Sequence, residues 1–204
     1  MIGCCQIFHP NYQSILQRIH PQTKIRQAIN SGVTLMNLDK LRQGNYSKIF
    51  INFVNRNSHK LIAGDQDVLN IVLSNKIKII NPKWNTTSYL FVVNNYKKCN
   101  LSKKLFNTCT QNPSIVHFDG IKPWISGSSH PYKKIFFKYI KKTEFKDYKI
   151  KPNLKKFLFN QVFYLGNKIA NLLPQKIYNL VEKQYLKNNF LEKRYQQIIK
   201  NETK

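Results

Sequence analysis

Acidic side chains are scarce in this chain: 9 Asp and Glu stand against 34 Lys and Arg, a formal net charge of +25 over 204 residues. A surface so short of carboxylates favours anionic partners, namely nucleic acid, nucleotide phosphates or an anionic membrane. Lysine drift on a solvated surface explains the charge equally well, because Lys, Asn, Ile, Phe and Tyr are all abundant. No helix-turn-helix, zinc or RNA-binding signature occurs, which argues against nucleic acid.

Other absences narrow the class. Apolar residues make up 42% of the chain and aromatics 13%, which excludes a disordered composition. The length suffices for a domain with its own core. No apolar run reaches the roughly 18–20 residues that span a bilayer. No charged, apolar and small-residue leader opens the chain, so cytosolic synthesis is expected. Cys4, Cys5, Cys99 and Cys109 lack zinc-ligand spacing and read as reduced structural thiols. Internal repeats and Gly/Ser linkers are absent.

What is present alternates strand and helix. MIGCCQI (1–7) reads as a short buried strand, 8–28 as polar loop with room for a short helix, and INSGVTLMNL (29–38) as a strand. Asp39 is placed to cap a helix over 39–60, where Tyr46, Ile49, Phe50, Phe53 and Val54 recur at helical spacing. Asp65 is expected to cap the next helix, with Val68, Leu69, Val72 and Leu73 inward. IKIINP (77–82) and SIVHF (114–118) read as strands, LSKKLFNTC (101–109) and PYKKIFFKYIKK (131–142) as helices, and SYLFVV (88–93) is ambiguous. The class is α/β. From 149 the composition shifts to 12 Lys and Arg against 3 Asp and Glu, interleaved with Phe157, Phe159, Phe163, Tyr164 and Ile169. Pro174 separates a second basic helix at roughly 175–200. The expected organisation is therefore a body, 1–148, and a basic amphipathic helical tail, 149–204.

Four stretches carry chemistry. Asp65-Gln66-Asp67 places two carboxylates at a helix start, where they suit a hard cation, sugar hydroxyls, or simply the helix dipole. His117, ending SIVHF, is either a satisfied rim histidine or a metal ligand in need of carboxylate partners. In Gly120-Ile121-Lys122-Pro123-Trp124 the glycine allows close approach to a phosphate and the lysine can neutralise a diphosphate; an ordinary loop pinned by tryptophan fits as well. Asn30-Ser31-Gly32 suits a ligand hydroxyl or a plain turn.

The order of these stretches is more specific than any one of them. INSGVTLMNL, DQDVLN, PKWN (82–85), IVHFDGIKPW and HPY (130–132) in succession resemble the sugar-nucleotide glycosyltransferases of family 8, over residues 1 to about 142. The resemblance implies a GT-A-type α/β fold and retaining hexosyl transfer from a UDP-sugar to a lipopolysaccharide, glycolipid or oligosaccharide acceptor. It also implies a divalent cation, commonly Mn2+. Carried over by position, His117 would be the histidine ligand of that ion. Gly120 and Lys122 would contact the donor diphosphate, Asn30 would lie near the donor sugar, and Asp65 and Gln66 would face the reacting sugar and acceptor.

In the family the nucleotide-binding half comes first and supplies an Asp-x-Asp pair. Met1 falls close to where that half ends, and Asp39 is the only acidic residue before Asp65. The resemblance thus implies an incomplete GT-A fold, the C-terminal portion without the donor pocket. The tail fits an anchor on an anionic membrane, which places the chain in the cytoplasm, peripheral on the inner face of the cytoplasmic membrane. The alternative is a catalytically inactive basic protein of membrane surfaces or nucleic acid.

Overall fold

The computed structural model describes residues 2–7, 12–120, 122–172 and 190–202. The chain divides into two compact units, one of residues 1–82 with 180–204 and one of residues 83–179.

The first unit is built on a three-stranded sheet, ordered β2-β1-β3, from β1 (Ile2–Gln6), β2 (Ile29–Met36) and β3 (Ile77–Ile79). β1 runs antiparallel to β2, with Ile2 opposite Met36, and parallel to β3, with Ile2 opposite Ile77. The strand period of two turns Ile2 and Cys4 to the same side, where they join Ile29, Tyr46, Leu69 and Leu73 in the core. The opposite side carries Leu35, which is 71% exposed. Helices α1 (Tyr12–Ile19), α2 (Leu38–Gln43), α3 (Tyr46–Asn57) and α4 (Asp65–Val72) complete this part of the unit.

Two local expectations are corrected. The helix expected over 39–60 is broken into α2 and α3, because Asn45 takes a left-handed φ of 49°. Its cap is Asn37, whose side chain accepts from the Lys40 amide at 2.9 Å, and Asp39 already lies inside the helix. Likewise Gly64 occupies the cap of α4 and Asp65 is the first helical residue.

α9 (Phe190–Glu202) belongs to this unit. Ile198 is buried against Ile15, Ile19 and Ile62. Arg18 pairs with Glu192 at 3.1 Å and lies 4.1 Å from the Tyr195 ring centre. The expected helix at 175–200 thus falls partly outside the described residues, and its described end packs on α1.

The second unit opens with a 3-10 turn, Pro82–Asn85, of which Pro82 belongs to the first. Two short strands, β4 (Thr86–Thr87) and β5 (Val116–His117), pair in parallel, Thr87 opposite His117. Around them lie α5 (Ser88–Val93), α6 (Lys103–Gln111, capped by Ser102), α7 (Lys133–Ile140) and α8 (Leu154–Leu172). The ambiguous SYLFVV is helical, and the first amide of α5, Ser88, is satisfied by the Asp119 carboxylate at 2.7 Å. Aromatic rings cluster around the buried His130: Phe118 meets His130, Phe136 and Trp124 edge-on at 4.8–6.3 Å between centres.

α8 docks by Asn160 and Gln161, which donate to the Ser126 and Gly127 carbonyls. Gly127, at φ +74°, lies so close to Phe157 that a Cβ would sit 2.7 Å from its backbone. All four cysteines are buried and none is in a disulfide; burial pushes the thiols of Cys4 and Cys109 up to about 11 and that of Cys99 to about 12. These three thiols stay protonated at neutral pH.

Candidate functional site

In the first unit, the start of β2 and the first turn of α4 come together. The Ser31 amide donates to Gln66 Oε1 at 3.1 Å, and the Gly32 amide donates to Asn30 Oδ1 at 3.0 Å. Asn70 fastens the same junction: it accepts from the Ile29 amide at 2.8 Å and donates to the Ile29 carbonyl at 3.0 Å. Asn30 and Gln66 are therefore neighbours of one strand-helix junction.

The two carboxylates of Asp65-Gln66-Asp67 differ in kind. Asp67 is fully buried and accepts from the Tyr12 hydroxyl at 2.5 Å and from the Ala63 and Ile62 amides. Burial, with Asp67 adding to it, pushes the Tyr12 phenol far above its ordinary value, so it remains a donor. Asp65 is exposed and its carboxylate makes no hydrogen bond or ion pair among the described residues. Of the pair, only Asp65 offers its carboxylate to solvent or ligand.

In the second unit, His117, Gly120 and Lys122 share one turn. The run Asn85-Thr86-Thr87-Ser88 holds it, four consecutive buried polar residues of which the sequence marked only Asn85, in PKWN, and Ser88, in SYLFVV, and neither as a partner of His117 or Gly120. Asn85 Oδ1 lies 2.9 Å from His117 Nδ1. The Gly120 amide donates to Ser88 Oγ at 3.3 Å, and a Cβ at Gly120 would come within 3.2 Å of the Ser88 Cβ. The glycine thus has a packing reason besides any phosphate. Lys122 donates to the Phe118 carbonyl and stands 5.9 Å from the Trp124 ring centre. The signal for the run lies in its polarity: NTTS leads into the apolar helix α5, whose first residue is Ser88, so its side chains need partners when buried.

The donor set bears on the implied cation. Among the described residues no three His, Cys, Asp or Glu side chains group together, and the Asp119 carboxylate already receives the Ser88 amide. His117 fits as one imidazole ligand with an orienting partner on its other ring nitrogen. The described residues do not provide a complete site.

Comparison with known proteins agrees with this architecture. The model of glycosyl transferase family 8 matches residues 12–127, more than half of the chain. General stress protein A of Bacillus subtilis is 34% identical over 118 residues, covering 56% of this chain and 41% of that protein. Lipopolysaccharide 1,3-galactosyltransferase of Salmonella typhimurium is 33% identical over 110 residues, 52% of this chain and 31% of that one. The chain thus spans less than half the length of these relatives. A crystal structure of the galactosyltransferase LgtC with donor and acceptor sugar analogues superposes with a TM-score of 0.56 at 18% identity, covering 70% of this chain and 52% of that chain. The fold is of that GT-A type, and the chain belongs to glycosyl transferase family 8.

Proposed function

We propose that the protein takes part in retaining hexosyl transfer from a UDP-sugar to a lipopolysaccharide or other surface-glycan acceptor. The observation that supports it most is the family match over 12–127, a stretch that contains Asn30, Asp65, Gln66, His117, Gly120 and Lys122. In this reading 1–148 is the catalytic portion and 149–204 the tail. Gly120 and Lys122 face the donor diphosphate, where lysine charge stabilises the leaving phosphate more as the glycosidic bond breaks than before. His117 would hold a divalent cation such as Mn2+, together with carboxylates that the described residues do not group around it. When bound, that cation supplies further positive charge to the diphosphate. Asn30 lies beside the donor sugar and Asp65 and Gln66 beside the acceptor. Gln66 carries an amide, a poor nucleophile, so the reading favours front-face transfer without a covalent enzyme intermediate.

The membrane reading rests on α8. Leu158, Phe159, Val162, Leu165, Ile169 and Leu172 are all more than half exposed, with Lys155, Lys156 and Lys168 among them. No described helix is long and apolar enough to cross a membrane. A helix of this composition suits the surface of an anionic inner leaflet, where each lysine contributes on the order of 1 kcal/mol.

The test is UDP release from UDP-glucose or UDP-galactose with manganese and a lipopolysaccharide acceptor. Lys122→Ala is expected to lower turnover by about 100-fold, and His117→Ala to remove its cation dependence. Full turnover in both variants would overturn the assignment.

A further inference from the structure

We infer that Asn85 is a positioning residue that sets the tautomer of His117, keeping the proton on Nδ1 and the lone pair on Nε2. The inference rests on the reading of His117 as a ligand and adds a residue to it. Asn85 is fully buried at the end of the 3-10 turn, so its carboxamide has little freedom. The backbone on both sides is pinned. Thr86 donates to the Ile115 carbonyl at 3.0 Å, the Ser114 and Ile115 amides donate to the Lys83 carbonyl at 2.9 and 3.1 Å, and Thr87 sits opposite His117. This holds Asn85 Oδ1 at 2.9 Å from His117 Nδ1.

A carboxamide oxygen only accepts. The ring nitrogen facing it must donate, so neutral His117 carries its hydrogen on Nδ1 and Nε2 is the atom left to bind a cation or accept a proton. Free imidazole side chains exchange the proton between both nitrogens, so the partner of one nitrogen decides which of the two keeps its lone pair. The rest of the NTTS run acts in the same direction: through Asp119 and Gly120, Ser88 fixes the two residues that follow the histidine's neighbour Phe118.

The experiment is nitrogen-15 NMR of the full chain at a single pH where imidazole is neutral. Long-range proton-nitrogen correlations separate the two ring nitrogens, and His117→Gln identifies the signals among the five histidines. The expected result for the unmodified chain is a pyrrole-like Nδ1 and a pyridine-like Nε2, with an excess on the order of tenfold over the other form, the size of an ordinary net hydrogen bond. Asn85→Leu is expected to abolish that excess and Asn85→Asp, which keeps an acceptor, to retain it.

A proton on Nε2 in the unmodified chain overturns the inference even if no variant folds. An unchanged tautomer in Asn85→Leu overturns it as well. Manganese added to the same sample reports separately: failure to broaden the His117 signals contradicts the ligand reading and leaves the tautomer result standing.

Discussion

The first unit is built on aliphatic packing around a buried carboxylate, the second on aromatic edges around a buried imidazole. Asp67 receives three donors and is fully satisfied. His130, ringed by Phe91, Phe118 and Tyr132, accepts from the Tyr132 amide on Nδ1 and has no partner for Nε2 among the described residues. A satisfied buried charge ties the fold together, whereas a half-satisfied ring makes it sensitive to protonation. In both units a buried polar residue serves the scaffold and a neighbouring group is more accessible: Asp65 is exposed beside the buried Asp67, and His117 is half-buried beside the buried Asn85.

The sharpest break of this comparison lies within one motif. Asp67→Ala is expected to destabilise the first unit by about 3–5 kcal/mol, because it strands a buried hydroxyl and two amides. Asp65→Ala should stay within about 0.5 kcal/mol. Urea unfolding followed by far-ultraviolet circular dichroism measures both, and equal losses would contradict the division of labour.

The next effect is one of pH. Burial lowers His130 from 6.5 to about 4, with Asp119 opposing the shift. The folded value lies below the unfolded one, so the unfolded chain takes the proton first. Stability is then full above pH 6.5 and falls as pH drops toward 4. The loss across that window is about 3 kcal/mol. Both tryptophans, Trp84 and Trp124, lie in the second unit, so their fluorescence reports this transition directly. His130→Phe should flatten the slope.

The smallest effect separates the two described tail helices. Ile198→Val removes one buried methyl group and should cost about 1 kcal/mol. Leu172→Ala, at a residue 85% exposed, should leave stability within about 0.5 kcal/mol and weaken co-sedimentation with anionic vesicles. An unchanged vesicle affinity would remove α8 from the membrane reading.

Much of this was legible in the sequence. The strand expected at 29–38, found as Ile29–Met36, the helix after Gly64 and the family resemblance rest on period and on the order of motifs. Asp67 was not separable from Asp65, because which of two carboxylates turns inward depends on Tyr12, 55 positions away. The role of Asn85 was hidden for the same reason: its partner lies 32 positions on, and a single polar residue in a turn announces no partner. Nor could composition divide the tail. Both helices are basic and apolar, and what sets α9 apart is the matching aliphatic surface of Ile15, Ile19 and Ile62.

The most direct test of the central claim is amide NMR of the labelled chain titrated with UDP-galactose and UDP-glucose, each with and without magnesium as a diamagnetic substitute for manganese. The account predicts cation-dependent shifts concentrated in residues 117–124, and their loss in His117→Ala. Shifts that avoid this turn, or that are indifferent to the cation and to His117, would contradict it.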